Sequence, residues 1–212
     1  MFDTIKETIE KEKVSMRDLS FYYKDDNSEL REKILLSTME VFNSKGLKFT
    51  MDDIARNINI SKKTIYKVFN DKEEMFLELV DYLFDGIKDA EMEVANDESL
   101  STLEKIRKIL GVMPNSYKDI DFRQLYMLRD KYPKIYEKVE ERLENGWELT
   151  ISLIEKGMEE GVIRPIRIPI LKMMLESSLE QFFRRDVLIS NKMTYQDGLN
   201  EVVDILVDGI SK

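Results

Sequence analysis

The chain has 212 residues, 42% hydrophobic and 35% charged, with a net charge of −9, long enough for one or two domains with a buried core. It contains no cysteine and no histidine, which excludes disulfide frameworks, Cys/His zinc sites, thiol nucleophiles and any triad built on an imidazole base. Eight glycines and four prolines supply too few turns for an all-β protein, so an all-α fold of about nine helices is expected.

Residues 1–27 read as an N-terminal extension, with Phe2, Ile5 and Ile9 on one face of a short helix. No long apolar run follows Met1, and no aliphatic stretch approaches the length of a membrane span. A soluble cytoplasmic protein is therefore expected, with no membrane, cofactor or metal. The first regular helix is predicted to start at the N-cap Ser28, to carry the stripe Leu30, Ile34, Leu35, Met39, Val41 and Phe42, and to stop at Gly46. Thr50 with Asp53 forms a capping box for a second short helix, Ser61 caps a third over 62–69, and Asp71 with Glu74 caps a fourth reaching about residue 95. Further helices are predicted from Ser99 or Ser101 to about Gly111, over 118–130, and over 133–159 behind Pro133. After Gly161 and Pro165 come a helix over 168–190 and a last one, capped by Thr194, running to Ile210.

Charge divides the chain unevenly. Residues 28–70 carry eight basic and five acidic side chains, net +3, against −2 for residues 1–27 and −10 for the remainder. A small positive module on a large negative body is the distribution expected of a DNA-binding head.

The stretch from Thr50 to Phe69 explains that module. Two short helices crossing steeply need a small contact residue, which Ala55 supplies, and a turn tolerant of positive φ, which Asn59 supplies. Ile54, Ile58, Ile60, Ile65 and Val68 fill the wedge, leaving Lys62, Lys63, Thr64, Tyr66 and Lys67 outward with no acid among them. Lysines and a phenol at a helix start suit phosphates and guanine edges.

In these residues the chain resembles the TetR-type transcriptional regulators. Gly46, Thr50, Ile54-Ala55, Ile60-Ser61, Thr64-Ile65-Tyr66, Phe69 and Lys72-Glu73 stand at the family spacing, with departures at Asn59, where glycine is usual, and Lys67, where an aromatic residue or histidine is frequent. The resemblance covers about residues 30–80. It implies a three-helix helix-turn-helix DNA-binding domain over 28–75, with its motif at 50–69, and a helical ligand-binding and dimerisation domain over 76–212. It implies phosphate contacts from Thr50, Tyr66, Lys67 and Lys72, with Lys48 as a further one, and base-edge contacts from Lys62, Lys63 and Thr64. About eight phosphate contacts per dimer would make log K fall against log salt with a slope near −7.

The resemblance also implies a small-molecule pocket and a dimer through the last two helices. Phe122, Tyr126 and Arg129, at helical spacing, with Trp147 and Thr150 opposite, are the pocket candidates, and Met113, Met158, Met173 and Met174 offer adaptable surface. For the dimer the candidates are Leu175, Leu179, Phe182, Phe183, Leu199, Val202, Val203 and Leu206. No catalytic constellation is read from 88–212. The expected protein is a homodimeric regulator, a repressor, that binds a palindromic double-stranded DNA operator and is released by a small-molecule effector. Two other classes share this composition: a helical interaction protein whose helix-turn-helix is a docking surface, and a carboxylate enzyme holding a divalent metal on oxygen ligands.

Overall fold

The computed structural model describes residues 26–114, 117 and 128–212, with side chains from residue 28 onward except those of 183 and 184. Within them the helices are α1 (Asp26–Lys45), α2 (Met51–Asn57), α3 (Lys62–Ile65), α4 (Lys72–Asn96), α5 (Thr102–Gly111), α6 (Pro133–Glu144), α7 (Glu148–Glu159), α8 (Ile168–Arg184), α9 (Val187–Ser190) and α10 (Tyr195–Ile210). The protein is all-α. Among the described residues only one isolated bridge, Ile163 with Ser211, has extended pairing, and no helix is long and apolar enough to cross a membrane. Residues 1–25 of the extension read as 1–27, and most of the helix predicted over 118–130, lie outside the described residues, and Asp26 and Asn27 belong to α1.

Local signals set most boundaries. Thr50, Ser101 and Thr194 each form a capping box, with Asp53, Glu104 and Asp197 respectively. Asp71 accepts from Glu74 N, while Glu74 reaches back one residue further than a capping box would, to Asn70 N at 2.8 Å. Three expectations change. Helix α1 starts at Asp26, so Ser28 lies in its first turn rather than at its cap. The helix expected over 133–159 is two, because Gly146 takes φ 78 and the chain turns between α6 and α7. The helix expected over 168–190 breaks at Arg185, whose backbone is extended, and the chain then returns to bury Leu188 beside Gly198 of α10.

Apolar residues gather in two cores. The first joins α1–α4 with Leu128, Ile135 and Val139. The second joins α5, α7, α8 and α10 around Ile106, Ile154, Ile163, Leu175 and Val207. Helix α4 serves both: Met75, Phe76, Leu79, Val80 and Leu83 are buried in the first, and Val94 packs on the second. One long helix thus runs from the end of the helix-turn-helix into the body and packs in both cores.

Candidate nucleic-acid interface

The turn between α2 and α3 follows from its residues. Asn59 takes φ 55, and Ile60 N donates to Ala55 O at 2.9 Å, closing α2 over a buried alanine. Asp53, which accepts from Thr50 N at 2.9 Å, is also held by Lys45 at 2.7 Å and Arg56 at 2.8 Å. Lys45 and Thr50 keep its carboxyl well below the usual carboxylate range, the lysine bond contributing most. Asn57 Nδ2 donates to Ser37 and Glu40 of α1, fixing α2 on the helix behind it.

Helix α3 is only one regular turn, shorter than the 62–69 expected, but the coil is carried on by Phe69 N donating to Ile65 O at 2.9 Å. Ile65 and Phe69 are fully buried, so Tyr66 and Lys67 between them face out, Tyr66 with 47% of its surface exposed. Lys48 and Lys63 are exposed as well. Lys62 is ion-paired with Asp52 at 2.8 Å, which raises its ammonium above the ordinary value. Thr64, half-buried, has its hydroxyl 2.8 Å from Ser61 Oγ, and Thr50 is exposed with its hydroxyl on Asp53.

Lys72 is turned inward. Its ammonium donates to Leu47 O at 3.2 Å and Phe49 O at 2.9 Å, and sits 3.5 Å from the centre of the Phe49 ring. Burial, with Lys131 nearby, lowers it to about 8. The unfolded chain keeps this proton up to the ordinary lysine value of 10.5, so stability rises with pH between about 8 and 10.5. Chemical denaturation at stepped pH should show that rise in the wild type and a flatter profile in Lys72→Met.

Arg31 is the residue that sequence reading missed. From α1 it grips Glu78 of α4 with two nitrogens, donates to Val68 O at 3.3 Å and stacks 4.7 Å from the centre of Phe69. The recognition turn is thereby locked to α1 and α4. Nothing local marks the pair, since 47 residues separate its members. Arg31→Met should lower unfolding stability by about 1–3 kcal/mol, measured by denaturant titration.

A cavity of about 130 Å³ lies in the body between α4, α5, α6, α8 and α10. Trp147 and Thr150 line it, and Phe84, Tyr117, Leu143, Leu175 and Tyr195 add apolar wall. Burial pushes the Tyr195 hydroxyl well above its ordinary value. Arg129 is elsewhere, exposed beside Asp130, and Phe122 and Tyr126 fall outside the described residues. The charged groups at the cavity are instead Lys88, Glu91 and Arg142. Glu91 was visible in principle, as a carboxylate continuing the α4 stripe Val80, Phe84, Ile87 at helical spacing.

Of the dimer candidates, Leu175, Phe182, Leu199, Val203 and Leu206 are buried in the chain's own core, Leu179 and Val202 pack half-buried against it, and the side chain of Phe183 lies outside the described set. The same helices expose a different apolar row: Ile170, Met173 and Met174 on α8, and Ile205, 71% exposed, on α10.

Comparison with known proteins agrees with this architecture. Residues 34–79 match the family described as bacterial regulatory proteins, tetR family. The HTH-type transcriptional regulator YvaF of Bacillus subtilis is 24% identical over 180 residues, 85% of this chain and 95% of that one. A TetR-family regulator from Cytophaga hutchinsonii superposes with a TM-score of 0.67 at 19% identity, over 89% of this chain and 98% of the other. FadR of Bacillus subtilis, solved in complex with stearoyl-CoA, superposes with a TM-score of 0.58 at 18% identity, over 84% and 98%. The helix-turn-helix thus lies inside a stretch that matches the tetR family of bacterial regulatory proteins, and the chain as a whole is similar in sequence to a transcriptional regulator and in fold to solved regulators of that type.

Proposed function

We propose that the chain works as a homodimeric repressor in the cytoplasm, binding a palindromic operator with residues 62–69 of each copy in successive major grooves. The observation that carries this reading is the outward face of the recognition turn: Lys63, Tyr66 and Lys67 exposed, in a stretch 62–69 that contains no acidic residue, on a backbone anchored by Ile65 and Phe69. Lys48 and Thr50 flank it as phosphate contacts. Lys62 and Thr64 join the base-edge contacts once Lys62 leaves Asp52. Lys72 serves indirectly, by holding the carbonyls of Leu47 and Phe49 next to Lys48 and Thr50.

The two copies pair through Ile170, Met173, Met174 and Ile205, an apolar row on the last long helices that suits a two-fold contact. Residues 28–75 form the head and 76–212 the body, with α4 passing between them. The cavity is the effector site. A ligand that prefers the body state with the heads splayed weakens DNA binding by its differential affinity, typically about 1–3 kcal/mol. At about 130 Å³ the cavity suits a benzene-sized body, not the long acyl chain that FadR holds.

Salt dependence tests the DNA reading. Duplex affinity should fall with salt at a log–log slope near −7, and Tyr66→Ala/Lys67→Ala, which removes one lysine per copy, should flatten the slope by about two units across the dimer. A folded wild type with no salt-dependent duplex binding would show that the turn is a protein-docking surface.

A further inference from the structure

We propose that the cavity takes a small protonated amine with an aromatic or apolar body, which displaces the Lys88 ammonium from Glu91. The proposal rests on the reading of the cavity as the effector site, and names its ligand class.

Among the described residues Glu91 is the only carboxylate at the cavity, and it is 7% exposed. Its counter-ion is Lys88, with Nζ 2.8 and 3.0 Å from the two oxygens. The same ammonium donates to Gly146 O at 2.7 Å. The other cation, Arg142, is already spent: it bonds Asp81 at 3.2 Å and Asp85 at 2.6 Å and lies 5.5 Å from the centre of Phe84.

The two members of the Lys88–Glu91 pair differ in their freedom. The glutamate side chain is 9% exposed and short; the lysine is 36% exposed, on a four-carbon stem that reaches solvent. Anything that enters and competes for this corner therefore dislodges the lysine and leaves the carboxylate. A neutral or anionic ligand would strand Glu91 as a buried, uncompensated charge, which is costly. A primary ammonium restores the pairing, since its three N–H groups match the two Glu91 oxygens and the Gly146 carbonyl. The walls fit the rest of such a ligand, with Trp147, Tyr117 and Phe84 supplying aromatic surface and Leu143 and Leu175 aliphatic surface.

Displacing Lys88 has a consequence at a distance. Its bond to Gly146 ties α4 to the break between α6 and α7, where Gly146 leaves only enough room for the lysine stem: a Cβ there would lie 2.9 Å from Lys88 Cε. Releasing the tie removes one of the bonds between the α6–α7 break and α4, the helix whose first turn carries Lys72 and meets the head. Arg142 still holds α6 to Asp81 and Asp85.

Trp147 is the only tryptophan of the chain and lines the cavity, so its fluorescence reads binding without DNA. The titrants are 2-phenylethylammonium, 2-phenylethanol and 3-phenylpropionate, against wild type, Glu91→Gln and Lys88→Met, with circular dichroism as the folding control. The amine should saturate, with the alcohol and the carboxylate at least about tenfold weaker. Glu91→Gln should erase that preference, and Lys88→Met, lacking the internal competitor, should bind the amine more tightly than wild type. The proposal falls if the carboxylate is preferred, if the amine does no better than the alcohol, or if folded Glu91→Gln keeps the preference. Should Glu91→Gln not fold, amine affinity that is unchanged or weaker in Lys88→Met also overturns it. Saturable amine binding that leaves duplex affinity untouched upholds the site and removes the effector reading.

Discussion

Ile205→Glu is expected to turn a dimer into a folded monomer and to abolish tight binding to a palindromic duplex. The side chain is 71% exposed and lies along a groove with Ile170, Met174 and Gly209, so it contributes little to the chain's own core. In the proposed dimer it would be covered twice, once from each copy. Losing the burial of two isoleucines removes about 3–6 kcal/mol, before the repulsion of two added carboxylates. That repulsion is increased by Glu201, Asp204 and Asp208 on the same helix, only part of which Arg107 offsets. Light scattering should report the mass falling to that of one 25.1 kDa chain with the helical dichroism intact. Leu175→Ala makes the contrast: it is buried within one copy, so it should cost about 2–5 kcal/mol of folding stability rather than dissociate a folded chain. A dimeric Ile205→Glu variant would place the interface elsewhere.

Phe76→Ala is expected to produce the largest loss of stability from one substitution, about 3–5 kcal/mol. The ring is 1% exposed and sits 5.1 Å from Phe42, 5.5 Å from Phe49 and 6.4 Å from Tyr132. It joins α1, the loop before α2 and the segment leading into α6, so its loss opens a cavity at the junction of head and body. Against a typical total of about 5–15 kcal/mol this is a large fraction, and the melting temperature should drop by roughly 10 °C. A shift of only a degree or two would mean that the aromatic cluster does not hold the head to the body.

Sequence reading succeeded where the cause of structure was local. Thr50 with Asp53 caps a helix from three residues away, Ser101 and Thr194 stand at the helix starts the sequence predicts for them, Ser101 as one of two options with Ser99, and Asn59 meets a demand of its own backbone. It failed where a distant contact decided. The break at Arg185 has no glycine or proline to mark it, and arises because Leu188 packs beside Gly198. Gly146 was in plain sight, but only Lys88 beneath it shows why the chain must turn there. Helix α8 carries apolar residues on two faces, Leu171 and Leu175 toward the core and Ile170, Met173 and Met174 toward solvent. Periodicity finds both stripes without saying which is covered by a second chain. The same limit applies to charge: Lys72 counts as a cation in the sequence, but in the fold it caps two carbonyls behind the DNA face.

The central claim is that residues 62–69 read a palindromic operator. Its most direct test is affinity selection from a random duplex library, with wild type beside Tyr66→Ala/Lys67→Ala. The account predicts that the wild type enriches one palindrome and that the double variant, equally folded, does not. No enrichment by folded wild type at low salt would contradict it, and would make the helix-turn-helix a surface for another protein.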